Sequence, residues 1–167
     1  MIEDYRVVSA RIRQELKELD QVTFRADRAI AAAKRQSGDQ DLYIDSAALS
    51  LHDFYSGLER IFHYIASSVD TSIPAGHEWH RELLRQMSLE IPELRPAVLS
   101  HESVNVLSEY LAFRHVVRNV YAFQFDPVRV EKLVHGLHSV MSKVKADLES
   151  FASFLEQIVS QTETEKD

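Results

Sequence analysis

The chain of 167 residues contains no cysteine, which excludes a disulfide framework and a metal site built on thiolates. It has only 4 glycines and 4 prolines, so we expect long, uninterrupted elements joined by few turns. It lacks an apolar run of about 18 residues and an N-terminal segment that is first basic and then apolar. We therefore expect a cytoplasmic protein that neither spans a membrane nor carries a signal segment of this kind.

A surplus of positive charge is also missing. Lys and Arg number 19 against 26 Asp and Glu, and the formal net charge is −7. This balance argues against non-specific binding of duplex nucleic acid through a generally basic surface, although it is compatible with a local basic pocket. The content of 45% hydrophobic and 27% charged residues is typical of a soluble globular domain.

Apolar residues recur at steps of three and four in five stretches, a pattern typical of amphipathic helices. These stretches cover about 5–36, 41–69, 78–90, 100–121 and 127–160. Ser100 or Ser103 is expected to cap the fourth helix, and Asp126 followed by Pro127 to open the fifth. No stretch alternates as a strand does. The sequence thus predicts an all-α bundle of five helices, in which the long first, second and fifth brace the shorter third and fourth.

This pattern indicates one helical domain over residues 1–160, followed by a polar tail over 161–167 that is expected to fray. Two pairs of histidines, His77 with His80 and His135 with His138, share a helix face but lack a third ligand at a suitable spacing. We expect solvated or partly buried histidines at these positions, and neither a metal site nor a cofactor.

The richest cluster of polar groups is the segment 113–121, which reads FRHVVRNVY. At about 100° per residue, Arg114 and Arg118 lie about 40° apart on the side of the apolar stripe. His115 and Asn119 come next around the helix, and the Tyr121 hydroxyl returns towards Arg114.

Two interpretations of the paired arginines stay open. Two guanidinium groups on one face suit a phosphate, because each presents a planar fork of donors. Arginines on an apolar stripe also pair with carboxylates of a neighbouring helix, for which Glu59 or Asp53 is suitably placed.

The segment 113–121 resembles the signature of HepT-like HEPN-domain ribonuclease toxins. In that signature four residues separate an Arg from a His, and one residue separates this His from a Tyr. Three other blocks are similar to this family: LHDFYSGLERIF at 51–62, WHRELLRQM at 79–87 and RPAVLS at 95–100. The spacing of Arg and His is a weak signal alone, whereas several blocks in order form a stronger one. The resemblance covers roughly residues 40–155.

The resemblance implies an all-α homodimer in which the two motifs meet in a cleft between protomers and cut RNA without a metal. The arginine of the family corresponds to Arg114, its polar neighbour to His115 and its tyrosine to Tyr121, and Arg118 would support phosphate binding. The family's catalytic histidine corresponds to Asn119. An amide cannot exchange a proton near neutral pH as an imidazole can.

This departure leaves three explanations: a naturally weakened member, a variant inactivated to allow production of a toxin, or an enzyme in which His115 takes over. The first two rank above the third, because His115 points about 40° away from position 119. The family further implies a minimal nucleotidyltransferase antitoxin, which transfers AMP to the motif tyrosine, here Tyr121.

A second hypothesis is a non-catalytic HEPN module whose cleft docks RNA or a nucleotidyltransferase, and Asn119 favours it. A purely structural helical bundle is a third, weaker hypothesis.

Overall fold

A computed structural model describes residues 2–36 and 38–165, and it contains five α-helices in this part of the chain. The helices are α1 (Ile2–Arg35), α2 (Gln40–Ser68), α3 (Trp79–Met87), α4 (His101–Asn119) and α5 (Pro127–Thr164). The same residues form no β-strand. The only β-bridge among them is an isolated antiparallel one between Ile91 and Arg95. The all-α bundle with long first, second and fifth helices is therefore confirmed. None of the described helices combines the length and apolarity needed to cross a membrane.

The second helix lies at the centre of the bundle, where it packs against the other four. Its broad apolar stripe explains this position, because residues on several sides of the helix are buried. At Gly57 the backbone of α2 approaches α1 so closely that a Cβ atom would lie 2.6 Å from Leu19 Cδ2. A glycine at this position thus permits the close packing of α1 on α2. The buried apolar residues of α2 are Ile44, Ala47, Ala48, Leu51, Phe54, Tyr55, Leu58, Ile61, Phe62, Ile65 and Ala66.

Both predicted helix starts are confirmed. The Ser100 side chain accepts a hydrogen bond from Ser103 N at 3.1 Å, and Asp126 accepts one from Val128 N at 3.0 Å. Asp147 of α5 also accepts hydrogen bonds from Ser100 N and Ser103 Oγ, at 3.1 and 2.8 Å. The start of α4 is therefore fixed to the middle of α5.

The connection between α3 and α4 is held by one buried arginine. Arg95 donates to both carboxylate oxygens of Asp70, at 2.5 Å from Nε and 2.8 Å from Nη2. Its remaining hydrogen bonds go to the carbonyl groups of Gln86, Leu89 and Pro96. This network fixes the loop between α3 and α4 against the end of α2.

Two predicted boundaries are wrong. Helix α4 ends at Asn119, so that Tyr121 lies outside it in an extended conformation and leads into a 3₁₀ turn over Ala122–Gln124. The Gln124 side chain accepts a hydrogen bond from Tyr121 N and stabilises this turn.

At the other end of the chain, α5 continues to Thr164, beyond its predicted end at residue 160. An ion pair between Glu163 and Arg6 of α1 supports its last turns. The last two residues of the predicted tail lie outside the described part of the chain.

Candidate functional site at the end of α4

The first predicted site residue, Arg114, is buried with only 7% of its surface exposed. Its Nη2 lies 3.3 Å from Glu59 Oε1 of α2, and its Nε donates to Ser56 Oγ at 3.4 Å. Nη1 is buried and has no hydrogen-bond partner among the described residues. Pairing with Glu59 is therefore confirmed, whereas Asp53, the other candidate carboxylate, has a side chain that is 52% exposed.

Glu59 is shared with a second partner that the sequence did not indicate. His80 Nδ1, from the start of α3, lies 2.6 Å from Glu59 Oε2, and both side chains are largely buried. The Trp79 ring lies against the imidazole with 3.6 Å between centroids. Sequence reasoning predicted only a solvated or partly buried histidine at position 80, because helical periodicity does not relate a residue of α2 to one of α3.

His115 joins this cluster from α4. Its ring meets that of His80 edge to face, with 5.4 Å between centroids. Burial lowers the pKa of His115, and the neighbouring His80, Arg114 and Arg118 lower it further, while Glu59 opposes them. The neutral imidazole of His115 is thus favoured relative to a free histidine.

The other two polar residues of the motif lie on the surface. Arg118 is exposed, which corrects the prediction that it continues the buried stripe; the stripe ends at Arg114, since residues 118–121 at the end of α4 are uncovered. Asn119 is also exposed, and its Nδ2 donates to the carbonyl oxygen of His115 at 2.6 Å. The hydrogen bond joins Asn119 to the backbone of His115 on the exposed surface, whereas the guanidinium of Arg114 is buried.

An exposed apolar surface follows the motif. Tyr121 is 73% exposed and stacks in parallel on Phe123, with 5.6 Å between ring centroids. Phe123 itself is 83% exposed, and Val120 and Val128 are exposed beside them in the chain. The tyrosine predicted as a modification acceptor is therefore accessible.

Two surface grooves differ in their position relative to the motif residues. One, of about 580 Å³, lies between α3 and α4 and is lined by both His80 and His115. A larger groove of about 850 Å³ lies between α1 and α2 and contains none of the motif residues. Within the described residues no group of three or more His, Cys, Asp or Glu side chains is arranged to hold a metal ion.

The fold and the cluster define a helical bundle with an Arg, His, Asn and Tyr motif at the end of its fourth helix. The family model for HepT-like proteins matches residues 46–155, and the chain belongs to this family. The predicted resemblance to HepT-like HEPN-domain proteins is thereby confirmed. Comparisons with curated proteins and with solved structures found no match.

Proposed function

We propose that the protein is the toxin subunit of a toxin–antitoxin pair and acts on RNA as an endoribonuclease. The observation that carries this proposal is the grouping of donors in the last turns of α4. Arg114 has a buried Nη1 without a partner among the described residues, while His115, Arg118 and Asn119 are exposed beside it. Such donors suit the phosphate backbone of an RNA strand.

In this proposal the ribose 2′-hydroxyl attacks the adjacent phosphate. Arg114 polarises the phosphate, His115 and Arg118 support it, and Asn119 occupies the position of the proton-transfer residue. A 2′,3′-cyclic phosphate and a 5′-hydroxyl end result. Because arginine side chains neutralise the developing charge, no metal ion is required, and cleavage is expected to persist in EDTA.

The activity is expected to be weak because of Asn119. An Asn119→His variant restores a group that titrates near neutral pH, and cleavage of a fluorescent RNA should increase by about a hundredfold. Adding Arg114→Gln to that variant should abolish the gain. The ribonuclease proposal fails if neither the natural chain nor Asn119→His cuts RNA while both remain folded.

We propose that the exposed surface of Val120, Tyr121, Phe123 and Val128 is covered by a second copy of the chain. Several exposed apolar side chains within a short segment, two of them stacked on each other, are typical of interaction sites. Phe123→Asp should shift the sedimentation coefficient from dimer to monomer, whereas Phe24→Asp, which changes an exposed phenylalanine of α1, should leave the dimer intact. Monomeric behaviour of the unchanged protein would contradict the proposal.

A second function is favoured by the hydrogen bond of Asn119 to the His115 carbonyl. With its amide engaged and Arg114 paired with Glu59, the end of α4 suits a non-catalytic module that binds RNA or docks a nucleotidyltransferase. Fluorescence anisotropy with single-stranded RNA tests this alternative. The binding module would be favoured if the chain binds RNA, Arg118→Gln weakens this binding, and neither the natural chain nor Asn119→His cuts RNA.

The antitoxin is proposed to be a minimal nucleotidyltransferase that attaches AMP to Tyr121. The 73% exposure of this tyrosine supports the proposal, because an acceptor hydroxyl must reach the active site of another protein. Intact mass should rise by one adenylate after incubation with the enzyme of the neighbouring gene and ATP. Tyr121→Phe should remove this increase and Tyr43→Phe should not; the reverse result would reassign the acceptor.

A further inference from the structure

The bridging carboxylate of Glu59 determines which nitrogen of the His80 ring donates a hydrogen bond to it. A carboxylate only accepts hydrogen bonds, so His80 donates from Nδ1 across the contact of 2.6 Å. Nε2 is then the nitrogen left to serve another partner. The Trp79 ring packs against the imidazole at a tilt of 30° and restricts its rotation. His80 is therefore oriented from two sides, although it lies outside the motif at the end of α4.

The groove between α3 and α4 brings this oriented ring together with His115. Both histidines line it, with 5.4 Å between ring centroids, and Arg81 and Arg85 lie along the same wall. Among the residues that the structure describes, these two arginines pair only with the exposed Glu78 and Glu82, through contacts that contribute little in water. The groove thus combines two imidazoles with cations that can attract an anion.

The two imidazoles have different surroundings. His80 donates from Nδ1 to the Glu59 carboxylate, whereas the pKa of His115 is lowered by burial and by neighbouring cations. Two adjacent imidazoles, one oriented by a carboxylate and the other biased towards its neutral form, suit general acid and general base catalysis. The titratable and charged groups that face the pair are Glu59 of α2, His77, Glu78, Arg81 and Arg85 of α3 and its approach, and Arg114 and Arg118 of α4.

We infer that His80 and His115 form the proton-transfer pair of a phosphodiester site in the groove between α3 and α4. The substrate class is single-stranded RNA, whose unpaired backbone can enter a groove of about 580 Å³. The inference rests on the proposed ribonuclease function and deepens it. It supplies the proton transfer that Asn119 cannot perform, and it makes Glu59 a positioning residue.

The step balances without a further reactant. His115 takes the proton of the ribose 2′-hydroxyl as that oxygen forms a bond to phosphorus. The bond from phosphorus to the 5′-oxygen breaks, and His80, which enters the step as an imidazolium with a proton on each nitrogen, gives its Nε2 proton to this leaving oxygen. The products are a 2′,3′-cyclic phosphate and a 5′-hydroxyl, and proton exchange with water restores both histidines.

Cleavage of a fluorescent single-stranded RNA tests the pair. His80→Gln and His115→Gln should each reduce the rate by about a hundredfold or more, the size of effect typical of a lost general acid or base. The matched control is His138→Gln, which changes an exposed histidine of α5 and should keep the rate within about twofold. Circular dichroism and thermal unfolding show whether each variant is folded.

The pH profile separates proton transfer from a merely structural contact between α2 and α3. His115→Gln should remove the fall in rate towards low pH, since a base must be neutral. His80→Gln should remove the fall towards high pH, since an acid must be protonated. If His80→Gln is folded and keeps both the rate and the shape of the profile, the inference is overturned.

The failure of this pair is distinguishable from failure of the proposed function. If Arg114→Gln abolishes cleavage and His80→Gln does not, the ribonuclease proposal stands and the His80–His115 pair is overturned. Absence of all cleavage, also by Asn119→His, would overturn both. An NMR titration with uridine 3′-monophosphate provides a readout besides activity: the His80 and His115 ring signals should shift, and unshifted signals would overturn the site.

Discussion

Two buried arginines in the described part of the chain pair with carboxylates, and they differ in how many of their donors are hydrogen-bonded. The Arg95 guanidinium donates to Asp70 at 2.5 and 2.8 Å, and its remaining donors bind three backbone carbonyl groups. Arg114 reaches Glu59 at 3.3 Å and Ser56 at 3.4 Å, and its Nη1 has no partner among the described residues.

This difference distinguishes an arginine that stabilises the fold from one that has a donor available to bind a ligand. Buried polar groups are nearly always hydrogen-bonded, so an incompletely bonded one requires an explanation. Arg95 has no donor left for a ligand, and its position in the loop between α3 and α4 gives it a structural task. Arg114 keeps a donor and shares its carboxylate with His80, as expected of a residue in a site.

The largest effect is expected when Asp70 loses its charge. Asp70→Asn leaves the completely buried guanidinium of Arg95 without an opposite charge, and the free energy of unfolding should decrease by about 3 kcal/mol. Urea denaturation followed by circular dichroism measures it. A decrease below about 1 kcal/mol would remove the structural task assigned to Arg95.

A change at Arg114 should affect RNA more than stability. Arg114→Gln removes the charge proposed to polarise the phosphate, and cleavage or binding of RNA should fall by about a hundredfold. The free energy of unfolding should change less than in Asp70→Asn, because the contacts of Arg114 are longer. Unchanged RNA cleavage and binding would favour the purely structural bundle.

The matched change at the other carboxylate should cost less than Asp70→Asn. Glu59→Gln keeps an oxygen that accepts from His80 and weakens a pair that is 3.3 Å long, so we expect a decrease of about 1 to 2 kcal/mol. The same urea denaturation measures both variants. If Glu59→Gln destabilises the protein more than Asp70→Asn does, the conclusion that Arg95 contributes more to stability than Arg114 is contradicted.

The smallest effect concerns the titration of His115. Arg114→Gln removes one of the cations that lower its pKa, so the pKa should rise towards the usual value of about 6.5. NMR of the imidazole signals measures the shift, with His138 as an internal reference. Because the folded state holds this proton less tightly than the unfolded chain, His115 makes stability decrease as pH falls below about 6.5, and Arg114→Gln should weaken that dependence.

A helical projection alone could not predict the surroundings of the motif. It placed Arg114 correctly on the buried stripe, and the observed partner, Glu59, is one of the two carboxylates that were proposed, the other being Asp53. It misplaced Arg118 and Tyr121, because it assumed that α4 continues through residue 121 and is covered along its whole length. The observed helix ends at Asn119, and its last turn lacks a neighbour on that side.

The sequence by itself determined the five helices, limited the cap of the fourth to Ser100 or Ser103 and placed that of the fifth at Asp126, because periodicity and capping are local properties of the chain. It also determined the HepT-like family, through blocks spread over several helices. Only the tertiary structure decided that Glu59 joins Arg114 to His80 and that His80 faces His115. These contacts link three helices, and their geometry depends on how the helices pack, which local sequence patterns do not encode.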